Sequence, residues 1–159
     1  MKVGRIYKTH INGGNMEKKE FKKALTNTLK SYGFEYIKKC YYYDNDELII
    51  VIATQKSNYD NSYYLNYGFL IKQINPGLEY PKDYVCDVKG RFLFENDTKF
   101  TDCINLDNCD IDVLKKGIDE TFQSYIVPII EKGLLEYYRI CPKNILTATL
   151  KTKKHLNMK

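Results

Sequence analysis

Hydrophobic residues are densest over residues 48–74, and their pattern there predicts a β-hairpin. Residues 48–53 are apolar without interruption and β-branched at four positions, which is typical of a strand that is covered on both faces. After a polar tip over residues 56–62, apolar side chains alternate with polar or small ones for nine residues, so a second strand is predicted there. The rest of the chain is expected to pack around this hairpin.

Two amphipathic helices are predicted on either side of the hairpin. Residues 17–32 carry apolar or small side chains at every third or fourth position, and Gly33 is placed to end that helix. A second helix is expected to begin at a cap formed by Asp110 or Asp112. Pro128 lies inside this second helical pattern, so a kink or a split into a helix pair is predicted there.

The remaining pattern predicts further short strands. Residues 34–43 are predicted to form one strand, residues 84–94 another, and residues 99–104 a short one. The fold class is therefore α+β, with an antiparallel sheet of about four to five strands on which an N-terminal helix and a C-terminal kinked helix or helix pair are packed. Residues 16–142 are expected to be a single domain, and residues 143–159 a frayed strand or loosely ordered tail.

Residues 1–15 show neither a helical nor a strand period, and they are expected to be a non-native or disordered extension. The Asn-Gly-Gly sequence shortly before Met16 can be encoded by a purine-rich stretch that resembles a bacterial ribosome-binding site. Translation could therefore start at Met1 or at Met16.

Composition and charge narrow the classes of function. The chain has 159 residues, of which 43% are hydrophobic and 28% charged, and it has no apolar run near the roughly 18 residues that a membrane span needs. A cytoplasmic location without membrane contact is expected. The net charge is +5, but residues 16–159 hold 22 basic and 20 acidic residues, so a nucleic-acid partner is not favoured.

The chain offers few residues for catalysis or for metal binding. Five cysteines occur without any C-x-x-C spacing, so we expect reduced thiols, no metal site and no cofactor. Only two histidines exist, His10 and His155, and both lie in segments predicted to be loose. No P-loop and no G-x-S-x-G or H-E-x-x-H motif is present. No catalytic residue is predicted, and an enzyme is not favoured.

Several stretches resemble one bacterial family. They are the helix end Tyr32-Gly33-Phe34, the hairpin VIATQKSNYDNSYYLNYGFLI, the strand at 86–91 and the helix around Tyr125-Ile126-Val127-Pro128. Together, over roughly residues 17–140, they resemble the family catalogued as domain of unknown function 4304. The resemblance implies an architecture and a bacterial cytosolic setting, and it implies no catalytic residue.

A candidate binding surface follows from the register of the hairpin. If the turn centres on residues 59–60, Gln55 lies opposite Tyr64, and both share a face with Asn66. Next to the small residues Ala53 and Gly68, these polar groups would line a shallow depression able to hydrogen-bond a partner. Two alternatives stay open: a register slipped by one residue would turn Gln55 inward, or the amides could satisfy loop backbone groups.

Arg91 is the fourth candidate binding residue. If a deep pocket held Arg91 beside an acid, an enzyme would be favoured instead. With no catalytic set found, the favoured function is a non-enzymatic protein-binding module, of an immunity or defence type, since small bacterial domains of this kind sometimes sit beside toxin or defence genes. The alternatives are a domain that binds RNA or single-stranded nucleic acid and an enzyme that does not use histidine. Oligomeric state is not predicted.

Overall fold

The structure, a computed structural model, describes residues 15–96 and 98–159, so the expectation for residues 1–14 lies outside the described residues. Within the described residues, the chain is an α+β fold with these elements in order: α1 (Lys18–Ser31), β1 (Glu35–Ile37), β2 (Cys40–Asp44), β3 (Leu48–Lys56), β4 (Ser62–Ile71), β5 (Val88–Arg91), β6 (Phe94–Asn96), β7 (Lys99–Thr101), β8 (Ile104–Asn105), α2 (Ile111–Thr121), α3 (Val127–Lys132), α4 (Leu135–Ile140) and α5 (Leu150–His155). The predicted fold class is confirmed.

The predicted hairpin, β3 and β4, forms the middle of the main sheet. The strand order is β1-β2-β3-β4-β5, with β8 pairing β4 beyond the end of β5, and every pair is antiparallel. Nine residue pairs join β3 to β4, from Leu48 opposite Ile71 to Lys56 opposite Tyr63. Strands β6 and β7 form a separate two-stranded sheet. Among the described residues the main sheet therefore has six strands, whereas about four to five were predicted.

Three of the predicted strands are interrupted in the structure, and one of them is residues 99–104, which are divided between β7 and the start of β8. Residues 34–43 form two strands, because Lys38 and Lys39 both adopt a left-handed conformation, with φ of 51° and 70°, and reverse the chain. A two-residue hairpin turn of this kind needs positive φ at both positions, which lysine adopts only rarely. Residues 84–94 are likewise divided between a 3-10 turn, β5 and the start of β6.

The main hydrophobic core lies between one face of the sheet and the helices. Ile50 and Ile52 of the central strand are fully buried in it, together with Leu65 and Phe69 of β4. Met16 also belongs to this core, at 2% exposure, and its backbone N–H donates to the carbonyl of Leu106 at 2.7 Å. This face, which we call the inner face, holds the large side chains that the hairpin pattern predicted for it.

The opposite, outer face is apolar only over half of its length. A second buried cluster forms there, and a loop over residues 72–87 covers it and contributes Cys86 to it. The members of the cluster are Cys40, Tyr42, Ile49, Val51, Ala53, Leu70 and Cys86. The loop is held down by Tyr42, whose hydroxyl donates to the carbonyl of Pro81 at 3.0 Å, and by the Asp87 carboxylate, which accepts from the Ile71 backbone at 2.8 Å. The distal half of the outer face, near the hairpin tip, is left to the polar residues.

The C-terminal helices differ in part from the prediction. Asp110 caps α2 by accepting from the Val113 N–H at 2.9 Å. The expected kink is a π-helical turn over Phe122–Ile126, just before Pro128, which widens the helix where the proline has no N–H to donate. Beyond Gly133 (φ 89°), α4 is followed by a 3-10 helix over Pro142–Thr147 and by α5.

After residue 142 the segment is helical, so the strand that was expected there as one possibility does not form. Thr149 caps α5, and the fully buried Thr152 anchors it. Among the described residues, no helix is both long enough and apolar enough to cross a membrane.

Candidate functional site

The four residues selected from the sequence meet on the distal half of the outer face. The register has Gln55 opposite Tyr64 and Asn66 opposite Arg91, as cross-strand neighbours. Asn66 Nδ2 donates to Gln55 Oε1 at 3.1 Å, and Arg91 Nε donates to Asn66 Oδ1 at 3.0 Å. The guanidinium of Arg91 also lies over the Tyr64 ring, 4.2 Å from its centroid. The amides therefore bond to each other and to Arg91, and the register alternative that turns Gln55 inward is excluded.

A fifth residue, Asp102, joins this group although the sequence analysis did not select it. Its carboxylate accepts from Arg91 Nη1 at 2.9 Å. The β6–β7 hairpin makes this contact possible, because it returns the chain to the end of β5 eleven residues after Arg91. Recognising that hairpin in the sequence would have predicted the pair. We call Gln55, Tyr64, Asn66, Arg91 and Asp102 the Arg91 cluster.

The tip of the β3–β4 hairpin is ordered by its own polar groups. Asp60 Oδ1 accepts from the Ser62 N–H at 3.2 Å, and Ser57 Oγ accepts from the Tyr59 N–H at 3.1 Å. A hydrogen bond from the Ser62 side chain, and to a smaller extent one from its backbone N–H, hold the pKa of the Asp60 carboxyl below its ordinary value of 3.8. The strand ends that carry Gln55 and Tyr64 are therefore held in register up to the turn.

The depression predicted beside Ala53 and Gly68 is filled in the structure. A Cβ atom added at Gly68 would lie 2.7 Å from Cys86 Sγ and 3.1 Å from the Asp83 carbonyl oxygen. Ala53 is 8% exposed and belongs to the buried cluster under the 72–87 loop. The small residues thus admit the protein's own loop, and the Arg91 cluster lies on the part of the outer face next to that loop.

The charged members of the Arg91 cluster are exposed, so their contacts add little to stability. The side chains of Arg91 and Asp102 are 40% and 49% exposed. Exposed ion pairs contribute about 0 to 1 kcal/mol, and an exposed cation–π contact about 0.5 to 1 kcal/mol. Four partners nevertheless fix the position of one guanidinium, which leaves an arginine and a tyrosine pre-organised at the surface.

The neighbouring thiol and the distant histidine do not extend the cluster into a catalytic set. Partial burial, and then the charge of Asp102, raise the pKa of the Cys103 thiol, which keeps it protonated near neutral pH. His155 lies on α5 and lines a pocket of about 340 Å³ with Glu47 and Lys132, near the opposite end of the β3–β4 ladder. In the described part of the chain, no three His, Cys, Asp or Glu side chains are grouped so that they could hold a metal ion.

The fold and this site define an α+β domain whose sheet leaves one end of its outer face open around an arginine-centred polar cluster. Residues 25–132 match the family described as Domain of unknown function (DUF4304). The match spans more than half of the chain, which therefore belongs to that family, and the resemblance seen in the sequence is confirmed. No curated protein matches the chain. No solved structure matches it.

Proposed function

We propose that the chain is a non-enzymatic protein-binding module whose contact surface is centred on the Arg91 cluster. The observation that carries this proposal is the pre-organised pair of the exposed Arg91 and the half-buried Tyr64 on one sheet face, with the guanidinium held by Asn66, Gln55 and Asp102. Tyrosine and arginine are over-represented among the residues that dominate binding energy at protein interfaces. A fixed side chain also loses less conformational entropy when a partner binds.

The charge of the surface favours a protein over a nucleic acid. Arg91 is already paired with Asp102, whose carboxylate would repel a phosphate backbone. One face of the Tyr64 ring is covered by the guanidinium, so that face is not free for a base to stack on. A protein surface can supply the carboxylate, amide and carbonyl groups that the remaining donors and acceptors of the cluster would bind.

The alternative of an enzyme has less support from the geometry. Arg91 does lie beside an acid, as that alternative requires, but both side chains are exposed to solvent. Reactions of charged groups in enzymes gain from a site that excludes water. The proposal also includes the bacterial cytoplasmic setting and the role in immunity or defence, both of which rest on the resemblance of the sequence.

The proposal is tested by comparing two exposed arginines that each contact a carboxylate. Arg91 contacts Asp102, and Arg139 contacts Glu136 on α4. The product of the neighbouring gene is the first partner to test, by calorimetry with the purified full chain. Because a dominant interface residue contributes at least about 2 kcal/mol, Arg91→Ala should weaken the complex roughly 30-fold or more. Arg139→Ala should leave the affinity unchanged.

Two further outcomes decide between the classes of partner. Equal affinities for wild type and Arg91→Ala would place the interface elsewhere and overturn the proposal. Binding of single-stranded RNA that weakens steeply with salt and is lost in Arg91→Ala would instead favour the nucleic-acid alternative. Both variants should keep the melting temperature of the wild type, because neither arginine is buried.

A further inference from the structure

The charges of the chain are unevenly distributed, and the C-terminal segment is strongly basic. Residues 16–136 hold 16 basic and 20 acidic residues. Residues 137–159 hold no Asp or Glu and six basic residues, which are Arg139, Lys143, Lys151, Lys153, Lys154 and Lys159. Arg139 contacts Glu136, and in the described part of the chain none of the five lysines forms an ion pair. These five lysines are therefore not paired with an acid among the described residues, although Asp46 and Glu47 line a pocket with His155 of the same segment.

The same segment turns two leucines outward. Leu146 and Leu150 are 84% and 85% exposed. Other apolar residues of the segment pack partly against the main core, including Ile145, Ala148, Leu156 and Met158. The two leucines are thus exposed on a segment that is itself anchored.

The anchoring of α5 determines which side chains face solvent. Thr152 is fully buried, and its N–H donates to Thr149 Oγ1 at 3.1 Å. Successive residues of an α-helix are rotated by 100° about its axis, so Leu150 and Lys154, each two residues from Thr152, lie on the opposite side of α5. Lys151 reaches back and donates to Asn75 Oδ1 at 2.8 Å. An apolar and a basic side chain therefore project together from the outer side of a fixed helix.

We propose that this segment, residues 143–159, binds the surface of an anionic lipid bilayer. Clustered lysines are attracted to anionic headgroups, and protruding leucines can enter the boundary between headgroups and acyl chains. Such peripheral binding needs no membrane-spanning helix, so it differs from the membrane insertion that the sequence argues against. The expectation of no membrane contact is revised in this proposal.

Other occupants fit the segment less well. Residues 139–159 contain no Phe, Tyr or Trp on which nucleic-acid bases could stack. A protein partner would need two pockets to receive leucines that protrude, whereas a bilayer accommodates them without a matching shape. Helix α5 also lies away from the Arg91 cluster, because His155 and Leu156 line a pocket with Leu48 and Ile71 at the opposite end of the β3–β4 ladder. The inference is therefore independent of the proposed function.

Flotation with lipid vesicles tests the proposal. We expect the full chain to float with phosphatidylcholine vesicles that contain about 30% phosphatidylglycerol, and not with phosphatidylcholine alone. Binding should fall when salt is raised from about 0.1 M to about 0.5 M, because surface potentials are then screened. Lys153→Gln with Lys154→Gln should weaken binding roughly tenfold, as should Leu146→Gln with Leu150→Gln.

A matched control separates position from charge. Lys18→Gln with Lys19→Gln removes the same charge from the exposed start of α1 and should leave vesicle binding unchanged. Thermal melting of each variant confirms that it is folded. The proposal is overturned if both vesicle types bind equally, if the α1 control weakens binding as much, or if the Lys153 and Lys154 variant loses affinity for single-stranded RNA but not for vesicles.

Discussion

Ile50 is the residue at which the buried central strand can be tested most directly. Its side chain is fully buried against the helices in the main core. Ile50→Ala should lower the free energy of unfolding by about 2 to 5 kcal/mol, through lost burial and the cavity left behind. Urea unfolding of the two proteins measures the difference. A cost under about 0.5 kcal/mol would place Ile50 at the surface and contradict the strand assignment.

Gly68 provides a second test at the scale of one residue. A methyl group there would meet both Cys86 Sγ, at 2.7 Å, and Cys86 Cβ, at 2.8 Å. Gly68→Ala should therefore cost about 1 to 3 kcal/mol of stability by forcing the loop away from the sheet. Adding Cys86→Gly should recover part of that loss in the same denaturant experiment. An unchanged stability of Gly68→Ala would show that the loop moves without cost.

These two positions show which individual residues could be understood from the sequence. Ile50 lies in an uninterrupted apolar run, so its burial could be predicted without knowing its neighbours. Gly68 was expected to leave open space, because nothing in the local pattern shows that Cys86, 18 residues later, returns to cover it. A contact made by a distant loop has no periodicity of its own.

At the scale of elements, the β3–β4 hairpin carries the main prediction for the site. Gln55→Ala with Asn66→Ala removes the two amides that bond each other and Arg91. The melting temperature should change by less than about 2 °C, because Gln55 is exposed and Asn66 is only half-buried, so water replaces their hydrogen bonds. Calorimetric titration should show weaker binding to the partner. A double variant that unfolds but still binds when folded would show that the amides brace the hairpin instead.

The elements with a regular period were predicted, and those defined by backbone conformation were not. The alternation in β4 predicted which residues share a face, and a turn centred on residues 59–60 gave the register that brings Gln55 and Tyr64 together. The Lys38-Lys39 turn was missed because lysine carries no turn signal, although both residues have positive φ. Helix α5 has six residues, which is too short to show a helical period. Asp102 joined the site only through the unrecognised β6–β7 hairpin.

At the scale of the whole molecule, a chain that starts at Met16 should be as stable as the full chain. Residues 1–15 carry no periodic apolar face, whereas Met16 is buried and bonds to Leu106. The truncated protein should melt within a few degrees of the full chain. A loss of more than about 2 kcal/mol, which is large against a usual stability of 5 to 15 kcal/mol, would show that the extension takes part in folding.

The buried phenols and thiols predict that stability falls in alkali. Burial raises the pKa of the Cys86 and Cys109 thiols from 9.0 to about 12, and that of Tyr138 from 10.0 to about 12. The unfolded chain therefore releases these protons before the folded chain does. This contribution to stability is full below pH 9 and is lost as the pH rises towards about 12, at about 1.4 kcal/mol per pH unit for each group that is ionised only when unfolded.

Urea unfolding at a series of pH values measures this effect. The free energy of unfolding should decline from about pH 9 upwards, with the thiols contributing first and Tyr138 about one pH unit later. A Cys109→Ala variant should show a shallower decline, since it lacks one of the titrating groups. A free energy that stays constant from pH 8 to about pH 11 would mean that these groups ionise equally in both states.

The basic C-terminal helix and the residues nearest the hairpin tip lie at different ends of the central hairpin. Helix α5 lies near the base of the β3–β4 ladder, whereas Gln55 and Tyr64 lie next to the tip. A bilayer bound to α5 would therefore leave Gln55 and Tyr64 facing the solution. A protein tethered to the bilayer in this way would hold its partner at the end that points into solution.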